Sequence, residues 1–147
     1  MAIRRFEEIE SWQDARELTP GILALGNHKS PQERHGALWE QLTRAAMSVM
    51  ANLAEGFGRP SDAGFARFLG IAQGSILEVQ SHLYIALDLG YLTQDPFEGL
   101  YRQSCRVSRK IGGLIQYLRR HRRPQRWGLS TDRPSTDDHG PAPDYRP

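Results

Sequence analysis

Hydrophobic positions along the first 120 or so residues recur every three or four places, the spacing of a helix face rather than the alternation of a strand. Four segments carry this period. The first, about Glu8 to Leu25, places Ile9, Trp12, Arg16 and Leu23 on one side, and Pro20-Gly21 predicts a kink or an early end. "HKSPQER" then reads as a start signal, with Ser30 as N-cap, Pro31 in the first position and Glu33 in the first turn. The second helix, about Pro31 to Phe57, repeats Leu38, Leu42, Ala45, Ala46, Val49 and Leu53 within an arc of roughly 100°, the width of a core-facing stripe. Ser61 or Asp62 caps the third, which runs to about Leu89 before Gly90. Its inner stripe is Phe65, Phe68, Leu69, Ala72, Ile76, Val79, Leu83 and Leu87. "TQDPFEG" repeats the start signal through Asp95 and Pro96. The fourth helix, to about His121, turns Phe97, Leu100, Tyr101, Ser104, Ile111, Ile115 and Leu118 inward.

Short connections join these segments, so the pattern predicts an all-α, antiparallel up-down four-helix bundle over residues 1–121. Residues 122–147 are rich in arginine and proline, with few aliphatics, and cannot offset the cost of ordering; they are expected to be a disordered tail. The third helix has more apolar surface than a single bundle uses. Ile71, Leu77, Ile85 and Leu89 fall outside its inner stripe, and Gly70 and Gly74, four apart, would let another helix approach closely. Two readings stand: a broadly buried central helix, or an oligomer interface.

Composition narrows the class. At 147 residues the chain suits one domain with a core that needs no staples, and Cys105 stands alone, without disulfide or thiolate metal set. "MAIRRFEEIESW" turns acidic where a signal peptide would be apolar, and no run approaches the ~20 apolar residues of a membrane span. The expectation is a soluble, cytoplasmic protein with no membrane partner.

Charge changes the picture most. The formal net charge of +2 conceals a division, because residues 1–100 carry 8 basic and 13 acidic side chains. Residues 101–127 hold Arg102, Arg106, Arg109, Lys110, Arg119, Arg120, Arg122, Arg123 and Arg126 with no acid at all. Arg102, Arg106 and Arg109 lie at i, i+4 and i+7, opposite Phe97, Ile111 and Ile115, with Lys110 beside them and Arg119 and Arg120 extending the stripe. A solvated face is the ordinary reading of a charge run. This one is single-signed, which costs repulsion between neighbouring turns, and it uses arginine, the side chain suited to bidentate phosphate contact and base stacking. A polyanion surface, a plain solvated face and a contact with the acidic part of a neighbouring subunit are the three readings.

"ANLAEGFGR", residues 51–59, ends the second helix with an amide, a carboxylate and two glycines. It holds only two of the glycines a phosphate-cradling loop requires, and no strand precedes it. Gln41, Arg44, Ser48, Asn52 and Glu55 line one edge of the second helix, as Ser75, Glu78 and His82 line the third. A Glu55–Glu78 pair with His82 suggests acid–base or metal chemistry. Di-metal bundles, however, repeat Glu-x-x-His on two helices, and no such motif occurs. The stronger expectation is a structural polar network of Arg44, Asn52, Glu55, Ser75 and Glu78, with no catalytic residue, metal or other cofactor. Glu55, disfavoured near a helix C-terminus, calls for a partner in Arg59 or Arg44. Cys105 reads as a small core filler and His82 as a structural hydrogen bonder.

"FEEIESWQDARELT", "SPQERHGALWEQLTRAAMSVMANLAEGFGR" and "FARFLGIAQGSILEVQSHLYIALDLGYL" resemble the four-helix-bundle family of 23S rRNA intervening-sequence proteins. The shared pattern includes Trp12, Ala15, Pro31, Glu33, Gln41-Leu42, Arg44-Ala45-Ala46 and Ser48, then Asn52, Ala54-Glu55-Gly56, Phe68-Leu69, Gly74-Ser75 and Glu78, over about residues 3–120. The resemblance implies a small bacterial helical protein that assembles as a homopentamer and has no established enzymatic activity. Some relatives are encoded within insertions in 23S rRNA genes. A distant group serves diversity-generating retroelements as a basic accessory subunit of the reverse transcriptase. Pro20 and the arginine- and proline-rich extension depart from the family pattern. Residues and resemblance together predict a non-enzymatic, ring-forming protein that binds RNA or DNA through Arg102, Arg106, Arg109, Lys110, Arg119 and Arg120. Its interface would be built on Gly70, Ile71, Gly74, Leu77, Ile85 and Leu89. The alternative is a scaffolding oligomer that holds a protein partner, such as a reverse transcriptase, and no nucleic acid.

Overall fold

A computed structural model describes residues 3–26 and 36–121. A single 3₁₀ turn, Phe6–Glu8, leads into four helices, α1 (Glu10–Leu25), α2 (Gly36–Phe57), α3 (Asp62–Asp88) and α4 (Gln94–Arg120), with no strand among the described residues. The expected start of the second helix at Ser30-Pro31 and the tail from Arg122 lie outside the described residues.

Each helix end has a local cause. The Ser61 hydroxyl accepts the amide of Gly64 at 3.1 Å and caps α3. At the other end Gly90 adopts φ +74°, which lets the Tyr91 amide reach the Ala86 carbonyl and the Gly90 amide that of Leu87, at 2.9 and 3.0 Å. This paired closure satisfies carbonyls that the ending helix leaves free. The fourth helix starts earlier than its sequence signal suggests: Thr93 is the N-cap, so Asp95 and Pro96 fall inside the first turn. Pro96 costs nothing there, because the first four amides have no helical acceptor anyway.

Of the kink or early end expected at Pro20, the early end does not occur. The first helix neither ends nor breaks at it, but runs through to Leu25. A mid-helix proline removes one backbone bond at a cost of about 3 kcal/mol. Burial of Leu18 and Ile22 on either side opposes that cost, and the Thr19 hydroxyl bonds the Ala15 carbonyl at 2.7 Å.

Backbone approaches pair the helices in a square: α1 lies against α2 and α4, and α3 against α2 and α4, around one shared core. Thr19 meets Met50 and Gly26 approaches Trp39. Ser48 meets Ser75 and Phe57 meets Phe65. Gln73 bonds Ser108 while Tyr84 stacks near Phe97 and Tyr101.

The core holds Leu42, Val49, Leu53, Leu69, Ile76, Val79, Leu83, Val107 and Ile111 with essentially no exposure. The α2 and α3 stripes are those the sequence marks, with Leu38, Phe68 and Leu87 only half-buried. The first helix differs. Its buried face is Ser11, Asp14, Ala15, Leu18 and Ile22, while Arg16 and Leu23 face solvent and Trp12 is half-buried. That is a rotation of about 120° from the expected face at 100° per residue. Two polar residues in the buried arc hid it.

Gly56 sets the closest approach of α2 to α3. A Cβ there would stand 2.7 Å from the Phe68 Cβ and 2.9 Å from the Phe65 ring. G56A is therefore expected to lose about 1–3 kcal/mol, the range for overpacking a filled site. G99A, in open space within α4, should gain up to about 1 kcal/mol from helix propensity and reduced unfolded-state freedom. Urea titration of both variants checks the pair, and equal effects would contradict the packing.

Candidate functional site

The fourth helix buries Phe97, Ser104, Val107, Ile111 and Leu118 and turns its basic residues away from the core. Antiphase of apolar and charged positions at 3.6 residues per turn produces this division without help from tertiary contacts. Packing then divides the basic residues again, in a way the sequence stripe does not show.

Arg106 and Lys110 turn toward α1. Arg106 places Nε 3.2 Å from Asp14 Oδ2 and Nη2 3.0 Å from Glu17 Oε2. Lys110 Nζ lies 2.9 Å from Asp14 Oδ2 and 3.2 Å from Glu10 Oε2. Asp14 sits at the centre with its side chain only 11% exposed, whereas Glu10 and Glu17 are 75% and 66% exposed. A carboxylate so enclosed is tolerable because two cations compensate it. Its hydrogen bond holds the Lys110 ammonium above the usual lysine pKa; burial pulls the other way, and Glu10 adds to the rise. These two cations are thus part of the α1–α4 joint and not free members of an outer stripe. Glu10, Asp14 and Glu17 at i, i+4 and i+7, facing basic residues four apart, were the signal that could have revealed it.

Arg102, Arg109, Arg119 and Arg120 are exposed and make no ion pair among the described residues. Arg102 and Arg109 stand about 10 Å apart along the axis and within about 20° of one another, from a rise of 1.5 Å and a turn of 100° per residue. Arg120 returns to the same line about 27 Å from Arg102. Near that end Tyr117, 57% exposed, stacks on His121 with ring centroids 4.4 Å apart.

The polar edge of α2 and α3 is less unified than expected. The Asn52 amide donates to the Ser48 carbonyl and hydroxyl at 2.8 and 3.0 Å, and Ser48 bonds Ser75 across the helices at 2.8 Å. Arg44 instead pairs with Glu40 on its own helix, at 2.6 Å, and Glu78 is exposed. Glu55 pairs with Arg59, whose guanidinium also covers the Phe68 ring 4.3 Å from its centroid. "ANLAEGFGR" therefore closes α2 and clamps it to α3. Glu55, Glu78 and His82 do not form a cluster, and no three His, Cys, Asp or Glu side chains among the described residues are grouped to hold a metal ion. Cys105 is half-buried and accepts a bond from Gln80 at 3.7 Å.

On α3, Ile71, Leu77, Ile85 and Leu89 are 42–51% exposed, with Tyr84 beside them at 46%. The space above Gly70 and Gly74 is open. These residues share the outward side of α3 with exposed Glu78, Ser81 and Asp88. No helix among the described residues is long and apolar enough to cross a membrane.

Comparison with known proteins adds a family to this geometry. The family model of the 23S rRNA-intervening sequence protein matches residues 7–113. A crystal structure from Bacteroides thetaiotaomicron, of a protein with unknown function from the S23 ribosomal protein family, superposes with a TM-score of 0.67 at 21% identity. The match covers 72% of this chain and 95% of that one, and it speaks for the fold alone. No curated protein matches the chain.

The joint makes a stability prediction. D14A removes the enclosed carboxylate that both cations share, leaving each with one exposed partner, and should cost about 1–3 kcal/mol, whereas E17Q, which removes an exposed pair, should cost no more than about 1 kcal/mol. Urea titrations at low and high salt read the difference. The part of the stability that comes from Lys110 is complete at neutral pH. Because its folded-state pKa is raised, that part disappears as pH climbs through the raised value, and K110M should flatten the alkaline loss.

Proposed function

The chain belongs to the 23S rRNA-intervening sequence protein family, and from that premise we propose that it is a non-enzymatic, oligomeric protein that binds nucleic acid along the outer face of α4. The observation that carries the reading is the set Arg102, Arg109, Arg119 and Arg120, exposed and without intramolecular carboxylate partners among the described residues. Every acid that reaches α4 from α1 is used on Arg106 and Lys110. The remaining guanidiniums keep their forked donors free for phosphate, and release of condensed counterions would drive binding. Arg119 and Arg120 also sit in the last helical turn, where the helix dipole favours positive charge.

The contact pairs between neighbouring helices support an antiparallel up-down bundle, and the α3 face supports its assembly. Ile71, Leu77, Ile85 and Leu89 leave more apolar surface in water than an isolated bundle of this size has use for, and open glycines permit close approach. A ring-shaped homo-oligomer, a pentamer by family resemblance, would repeat the arginine face around its circumference. The same α3 face is what favours the second reading, a scaffold that holds a protein partner and no nucleic acid.

R102E/R109E is expected to lose retention of RNA or DNA, with the salt slope of any residual binding lower by about 2, while the oligomer survives in sizing chromatography. Binding that persists unchanged sinks the first reading and leaves the scaffold. L77E/I85E is expected to do the reverse, giving a smaller species in sedimentation. A variant that sediments like the parent would exclude this face as the interface.

A further inference from the structure

Arg106 and Lys110 each have two carboxylate contacts of different kinds. One is the enclosed Asp14, at 3.2 and 2.9 Å. The other is an exposed acid, Glu17 for Arg106 at 3.0 Å and Glu10 for Lys110 at 3.2 Å. Exposed pairs contribute little and open readily, whereas Asp14 is enclosed and shared by both cations. The donor geometry allows a partial exchange. Arg106 faces Asp14 with Nε as an ion pair and donates a hydrogen bond to Glu17 through Nη2, so the contact to Glu17 can open while the ion pair with Asp14 stays. The Lys110 ammonium likewise lies within ion-pair distance of one enclosed and one exposed carboxylate.

We propose that Glu10 and Glu17 act as built-in phosphate mimics that hold Arg106 and Lys110 out of the nucleic-acid track, and so set its width and affinity. This rests on the nucleic-acid reading of α4. The cation row of α4 is bordered along its α1 side by carboxylates that occupy two cations and repel a phosphate approaching from that side. The track is then confined to the line of Arg102, Arg109 and Arg120 with Arg119 beside it. Neutralising the two exposed acids widens it by two contacts without disturbing Asp14.

The test compares the wild-type chain, E10Q/E17Q and a charge-matched control, E40Q/E55Q. The control removes two acids that pair with Arg44 and Arg59 on α2, whose backbone does not approach that of α4. Fluorescence anisotropy with a mixed-sequence single-stranded RNA and a duplex DNA, across a salt series, gives affinity and slope. E10Q/E17Q is expected to bind at least about threefold more tightly at low salt, with a slope steeper by about 1.4 on the single strand or 1.8 on the duplex, two added phosphate contacts. An unchanged slope, or an equal change in E40Q/E55Q, overturns the proposal. R102E/R109E separates this failure from that of the underlying reading. Binding that needs Arg102 and Arg109 but ignores Glu10 and Glu17 removes only the mimic; binding by none of the proteins removes both.

Discussion

The contact on which this bundle turns is the carboxylate of Asp14 between Arg106 and Lys110. The first helix, with its N-cap Ile9, also places Ala15, Leu18 and Ile22 in the core. Its buried arc includes Ser11, Asp14 and Ala15, and it carries a proline in its interior. Hydrophobic burial by Ile9, Leu18 and Ile22 draws the helix to the core, but burial is non-directional. An enclosed charge is not. Asp14 is compensated in the observed rotation and register of α1, where two cations of α4 reach it.

That joint also determines what α4 offers to the outside. A helix with a continuous basic stripe becomes one with two committed cations and four uncommitted arginines. Under the proposed reading, stability and recognition draw on the same side chains, so a change at Glu10 or Glu17 that is almost neutral for folding need not be neutral for binding. The opposite holds at Asp14. The far side of the square, α2 against α3, is joined by different means: close approach at Gly56, the Ser48–Ser75 bond and Arg59 laid on Phe68. It leaves Ile71, Leu77, Ile85 and Leu89 exposed on the outer side of α3.

Much of the fold was legible along the chain. Leu42, Val49 and Leu53 in α2 and Leu69, Ile76 and Leu83 in α3 recur at helical spacing without polar interruption, and they are the core. Ser61 and Gly90 mark the ends of α3 because capping and positive φ are local matters of one or two residues. The α1 face was not legible. Trp12 and Leu23 outweigh Ser11 and Asp14 in any count of apolar residues, and the reason Asp14 is buried lies more than ninety positions away.

By itself, then, the sequence determined the number of helices, the faces that α2, α3 and α4 bury, and the concentration of arginine on α4, all of which depend on residues within a few turns of one another. Tertiary structure alone decided the rotation of α1, the persistence of its helix through Pro20, and the division of the basic stripe into bound and free members. It also separated Arg44, Glu55 and Glu78 from the network their spacing suggested. Periodicity tells which side of a helix faces inward. Which charge meets which depends on distances between helices, and those exist only once the chain has packed.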